Sequence, residues 1–102
     1  MKNVFISHSS KNKDIAEQFT SYLEKLGIKS KNIFCSSVIS QGIKNGENLN
    51  SAIGKAIKKS HLLIYLISND FVESSYCMEE LGVGWYLAQE HNKKCFYLLL
   101  PD

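Results

Sequence analysis

Arginine is absent from this chain of 102 residues; all 12 basic residues are lysines. Phosphate recognition would therefore have to use lysines, hydroxyls or backbone amides in place of bidentate guanidinium clamps. Proline occurs once, at Pro101, and the apolar fraction is that of an ordinary globular protein, which implies one compact domain with a modest core over residues 1–102. Long apolar runs are also missing near the start. MKNVFISHSS returns to polar residues after Val4, Phe5 and Ile6, which argues against a signal peptide or a membrane anchor and for a cytoplasmic location. Cysteine is scarce: Cys35, Cys77 and Cys95 are odd in number and lack C-x-x-C spacing, so they read as reduced core thiols. The net charge of +2 is small and spread out, without a basic stripe interleaved with aromatics, so nucleic-acid binding is not indicated.

What is present is a hydrophobic pattern that changes period in regular alternation. Val4–Ser7 is a short strand-like run, followed by the polar turn His8–Lys13 and by Ile15, Phe19, Tyr22, Leu23 and Leu26 at helical spacing, with Gly27 placed to end that helix. Ile33–Ser36 reads as a second strand and leads into the long polar connection Ser37–Asn48, which carries Gly42 and Gly46. Leu49, Ile53 and Ile57, flanked by Ala52 and Ala56, mark the apolar face of a second helix. Leu62–Ile67 is nearly continuous in apolar residues, as a central buried strand would be. The turn Ser68–Ser75 precedes a third helix with Met78, Leu81, Trp85 and Ala88 on one face and Gly82 and Gly84 inside it, glycines that imply close packing against a strand or another chain. Cys95–Leu100 reads as a fourth buried strand, and Tyr65, Tyr86 and Tyr97 as core residues. The order βαβαβαβ predicts an α/β fold, an open parallel sheet with helices on both faces. An apolar edge strand followed at once by Pro101 and Asp102 suggests a segment truncated after its fourth strand.

The chemistry-bearing feature is SSYCMEELGVGW, Ser74 to Trp85, which places Glu79 and Glu80 in the expected first turn of the third helix, with Ser74 and Ser75 as caps. Carboxylates there are stabilised by unpaired amides and the helix dipole, so Glu80 is expected to be ionised, suited to stabilising a developing cation. Complementing the dipole alone is the structural alternative. Other arrangements are poorer. Cys77 has no histidine near it in sequence, and His8, His61 and His91 show no metal-ligand spacing with the cysteines, so no metal is expected. Gly42-x-x-x-Gly46 matches neither a P-loop nor a dinucleotide-binding turn.

Four blocks, VFISHSSKNKD, IFCSSVISQGIKNGENLN, LLIYLIS and YCMEELG, occur in the order in which they occur in Toll/interleukin-1 receptor (TIR) domains, and the chain resembles a TIR domain of the bacterial type. The resemblance implies a flavodoxin-like open parallel sheet of order 2-1-3-4, with the family's fifth strand missing here. Enzymes of the family cleave NAD between nicotinamide and ribose with one glutamate in a Trp-Cys-x-x-Glu motif. That motif falls on Tyr76-Cys77-Met78-Glu79-Glu80, which makes Glu80 the catalytic candidate, with Tyr76 in place of tryptophan. The family's pocket-facing turn and loop imply His8, Ser9, Ser10, Gly46 and Glu47 as substrate-binding residues, and the motif implies Tyr76 as an aromatic wall of the pocket. No cofactor is implied, since NAD is the substrate. Self-association through TIR–TIR contacts and a downstream effector protein are the implied partners, with neither nucleic acid nor membrane, in antiphage defence or cell suicide.

The reaction itself supports a site with one carboxylate. Ordinary glycosidases need two because the leaving oxygen must be protonated. Nicotinamide in NAD is already cationic and departs neutral without a general acid. The alternative is a TIR adaptor that acts by assembly alone. A phosphoacceptor receiver, which shares the fold, is disfavoured because His8 and Ser9 stand where acidic residues would be required.

Overall fold

The computed structural model describes residues 3–35 and 49–101. Its elements are β1 (Val4–His8), α1 (Lys13–Lys25), β2 (Ile33–Cys35), α2 (Leu49–Lys59), β3 (Leu62–Ile67), α3 (Asn69–Glu73), α4 (Ser75–His91) and β4 (Lys94–Leu99), with single 3-10 turns at Ser10–Asn12 and Ser30–Asn32. The strands form one parallel sheet in the order β2-β1-β3-β4, as expected. Phe5 stands beside Phe34 on one neighbour and Leu63 on the other.

Alternation along the central strands builds two cores. Phe5, Leu63 and Tyr65 face α2, α3 and α4, where they pack with Ile53, Ala56, Ile57, Phe71, Cys77 and Leu87. Val4, Ile6, Ile64 and Leu66 face α1 and pack with Ala16 and Leu23. Each fully buried large side chain contributes about 2–3 kcal/mol. Strands buried on both faces must be apolar at nearly every position, which is why β3 shows no polar alternation.

Local signals set the ends of the helices. At the end of α1, Gly27 has φ 105°, its amide bonds to the Glu24 carbonyl, and the Ile28 amide bonds to the Leu23 carbonyl, the pairing of a Schellman motif. Ser68 caps α3 by accepting from the Phe71 amide, and Ser74 caps α4 by accepting from the Cys77 amide. The turn expected over residues 68–75 thus holds a short helix between two serine caps. Lys93 Nζ donates to the carbonyls of Lys58 and Ser60, satisfying acceptors at the end of α2.

Four packing expectations are corrected. The buried stripe of α1 centres on Ala16, Phe19 and Leu23, leaving Ile15, Tyr22 and Leu26 exposed. The buried stripe of α4 is Cys77, Glu80, Gly84 and Leu87, while Met78 and Trp85 face outward. A glutamate and a glycine occupy core positions there, so hydrophobicity alone points to the wrong phase. Among the described residues only β3 pairs with β4, which is thus an edge strand, and its Phe96, Tyr97, Leu98 and Leu99 are exposed. Of the three tyrosines read as core, Tyr65 is fully buried, Tyr86 is exposed, and Tyr97 is exposed but stacks on Tyr65 with ring centroids 5.6 Å apart.

Candidate active site

The sheet's switch point lies between β1, whose chain continues to β2, and β3, which lies on its other side. Ligands of open α/β sheets bind beyond the strand ends at such a point. Here the segments that follow β1 and β3 are tied together: Ser68 Oγ donates to Asn12 Oδ1 at 2.6 Å, and Lys11 pairs with Asp70 at 3.5 Å. Helix α4 is fastened to β1 from above. Cys77 Sγ donates to the His8 carbonyl at 3.7 Å, and Ser7 Oγ donates to Glu80 Oε1 at 3.1 Å. Tyr65 Oη donates to the backbone carbonyl of Glu80 at 3.3 Å, so β3 holds the same turn of α4.

Glu80 lies in the second turn of α4, whose first turn carries no acidic residue. The dipole effect has faded at that distance. Its side chain is 4% exposed, and among the described residues Oε2 has no hydrogen-bond partner. Burial therefore raises the carboxyl to about 7, against the lowering effects of the Ser7 hydrogen bond and the charge of His8. The expectation of a carboxylate kept ionised by the helix end is corrected: near neutral pH the group is poised between its two forms. Glu79, next in sequence, is exposed.

Glu80 borders a cleft of about 440 Å³ between α2 and α4. Ile53, Ile57 and Val83 give it aliphatic walls, and Gly54 and Gly82 leave it open where side chains would intrude. A cleft of this size accommodates a small ligand or one end of a larger one. Gly84 serves a different purpose, since a Cβ there would lie 1.6 Å from Tyr65 Oη. The close approach expected for both glycines is thus found at Gly84, whereas Gly82 has nothing within 4 Å of an added Cβ.

The other residues singled out from sequence are distributed around this centre. The His8 carbonyl accepts from Cys77, but its imidazole contacts the Ser9 carbonyl and Cys35. Ser9 is buried and caps the 3-10 turn by accepting from the Lys11 amide, and Ser10 is exposed. None of these three is among the described residues lining the cleft. Tyr76 belongs to the first turn of α4, and Gly46 and Glu47 lie outside the described residues. Sequence reasoning missed Ser7, the one described side chain bonded to the Glu80 carboxyl. Its signal was a hydroxyl two residues after Phe5, on the same face of a strand that is otherwise apolar on that side. Among the described residues, no three His, Cys, Asp or Glu side chains gather as a metal site would require.

Comparison with known proteins agrees with this architecture. The chain is 32% identical over 100 residues to the uncharacterised protein YddK of Bacillus subtilis (strain 168), covering 98% of this chain and 36% of YddK. It is 33% identical over 73 residues to the disease resistance-like protein DSC2 of Arabidopsis thaliana, covering 72% of this chain and 6% of DSC2. The chain thus spans a minor part of the length of either relative. Among solved structures, the TIR domains of the activated Roq1 resistosome, which directly recognises the pathogen effector XopQ, match with a TM-score of 0.78 at 21% identity, over 97% of this chain and 57% of that one. That likeness bears on the fold. A family model of the TIR domain matches residues 4–102, essentially the whole of the sheet and its helices, and the chain belongs to the TIR-domain family.

Proposed function

We propose that this TIR domain cleaves NAD at the bond between nicotinamide and ribose, releasing nicotinamide and leaving ADP-ribose or a cyclised product. The observation that carries the reading is the buried carboxyl of Glu80, with Oε2 unpartnered among the described residues, at the edge of a 440 Å³ cleft with aliphatic walls. Those walls suit a flat nicotinamide ring.

Glu80 has one task, to stand ionised beside the ribose as positive charge develops there. Binding assists it. A cation about 4 Å away, at an effective dielectric of about 20, favours the ionised carboxylate by about 4 kcal/mol. That corresponds to roughly 3 pKa units, enough to carry a group that titrates near 7 well below neutrality once the cationic nicotinamide arrives. The C–N bond then breaks with its electron pair leaving on nicotinamide. Water, or a nitrogen of the same nucleotide, adds to the ribosyl carbon, and the proton it releases passes to solvent. The charge of Glu80 stabilises the cation between these steps.

Self-association through TIR–TIR contacts, a cytoplasmic setting and a role in defence signalling accompany this reading. They are supported by family membership, by the disease resistance-like name of DSC2 and by the resistosome in which the Roq1 TIR domains stand. The deciding experiment measures nicotinamide released from NAD by the chain at high concentration, beside Glu80→Gln. Release by the parent that is lost in the folded variant is the expected result. Equal release from both would overturn the role of Glu80, and none from either, with oligomers present by light scattering, would favour an adaptor acting by assembly alone.

A further inference from the structure

On the sheet face opposite Glu80, β1 and β2 bring a thiol and an imidazole together. His8 Nδ1 lies 2.7 Å from the Ser9 carbonyl oxygen, which can only accept, so Nδ1 carries the proton. Nε2 then presents its lone pair to Cys35 Sγ at 3.2 Å. A nucleophile in reach of a base whose other nitrogen is held by a third group is the arrangement that activates a thiol. His8 is 4% exposed and so held in place, whereas Cys35 is only half-buried. The thiol also borders a second groove, about 290 Å³ in volume, with Glu17 and Glu24 of α1 on one side and Ser30, Ile33 and Cys35 on the other.

The geometry points to Cys35 as a modification site that exchanges with small neutral or cationic disulfides entering the groove between α1 and β2, with His8 moving the proton. The His8 imidazole takes the Cys35 proton, and the sulfur attacks one sulfur of the incoming disulfide. A new S–S bond forms as the old one breaks, and the departing thiolate receives the proton back from His8. Cys35 is oxidised to a mixed disulfide and half of the reagent is reduced to a thiol. Among the described residues, the Glu17 and Glu24 carboxylates of α1 line the groove that Cys35 borders, and that of Glu80 acts on His8 from α4. The two carboxylates of this lining disfavour anionic reagents.

Two further observations agree. Burial acts to lower the basicity of His8, but the Cys35 and Ser9 hydrogen bonds and the charges of Cys35 and Glu80 outweigh it and leave the imidazole more basic than usual. Burial raises the thiols of Cys77 and Cys95, so the competing cysteines are less reactive.

The test exposes the chain to cystamine, a dication, to neutral bis(2-hydroxyethyl) disulfide and to dianionic 3,3′-dithiodipropionate, with peptide mass mapping at short times. The first mixed disulfide is expected on Cys35, with the dication and the neutral reagent faster than the dianion. In His8→Gln, exchange at Cys35 should slow by about tenfold or more, the loss of a general base. First modification at Cys77 or Cys95, a dianion as fast as the dication, or an unchanged rate in folded His8→Gln would each overturn the proposal. The first two readouts need no variant, so the proposal is decided even if His8→Gln does not fold.

Discussion

The Ser7 hydroxyl donates to Glu80 Oε1 at 3.1 Å, across 73 positions of sequence and with both residues buried. It is the one hydrogen bond between described residues that opposes burial at this carboxyl. Removing it in Ser7→Ala should raise the Glu80 pKa by about 1 unit or more, since hydrogen bonds to charged groups contribute about 1.5–3 kcal/mol. The acid limb of kcat/KM for nicotinamide release should move to higher pH by the same amount, with activity recovering above it. An unmoved limb in the folded variant would show that Ser7 does not tune the group.

Stability should fall as pH rises through the interval in which Glu80 titrates. The folded carboxyl titrates near 7 and an ordinary one near 4.5, so between those values the native state binds more protons than the unfolded chain. The full difference corresponds to about 3 kcal/mol, present below that window and lost above it. His8, whose folded pKa is raised, acts in the same direction, its contribution being lost as pH rises through its folded value. Comparison with Glu80→Gln isolates the glutamate. Urea denaturation should show a clearly higher midpoint at pH 5 than at pH 8 for the parent and a much smaller difference for the variant. Equal differences would place the titration elsewhere.

The two glycines of α4 should respond oppositely to alanine. At Gly84 the new Cβ would meet Tyr65 Oη at 1.6 Å and Leu63 Cδ1 at 3.1 Å, and Tyr65 is fully buried with no room to withdraw. Gly84→Ala should therefore destabilise by about 1–3 kcal/mol, the usual range of an overpacked core. Tyr65→Phe in the same chain removes the nearest atom and should recover part of that loss, seen as coupling in a double-mutant cycle. Gly82→Ala meets nothing within 4 Å and should stabilise by up to about 1 kcal/mol through helix propensity. Thermal melts of the parent, the three single variants and the double variant check all three statements.

Among the described residues β4 offers an unpaired backbone edge with apolar side chains around it, Leu99 being 80% exposed. Such edges recruit other strands. Leu99→Lys should lower the weight-average mass of the chain at high concentration in sedimentation runs and leave its melting temperature nearly unchanged. An unaltered mass would locate self-association on another surface.

Much of the architecture was legible because the signals are local. The run from Leu62 to Ile67 reads as a central strand buried on both faces, Gly27 marked the end of α1, and Ser74 was placed to cap α4. The phase of α4 was misread because Glu80 and Gly84 hold core positions that hydrophobicity assigns to the surface. β4, expected at the edge of the sheet, was nevertheless read as buried because its composition resembles that of β3, and composition does not reveal how much of a strand other elements cover.

By itself, the sequence determined the order of elements, the parallel sheet, the family and Glu80 as the residue of interest, because hydrophobic period, caps and motifs act over a few neighbouring residues. Only the tertiary structure decided the state of Glu80, its bond to Ser7 and the meeting of His8 with Cys35. Desolvation sums over every atom packed around a group, and strand pairing joins residues far apart in the chain, so neither is written in any local stretch of sequence.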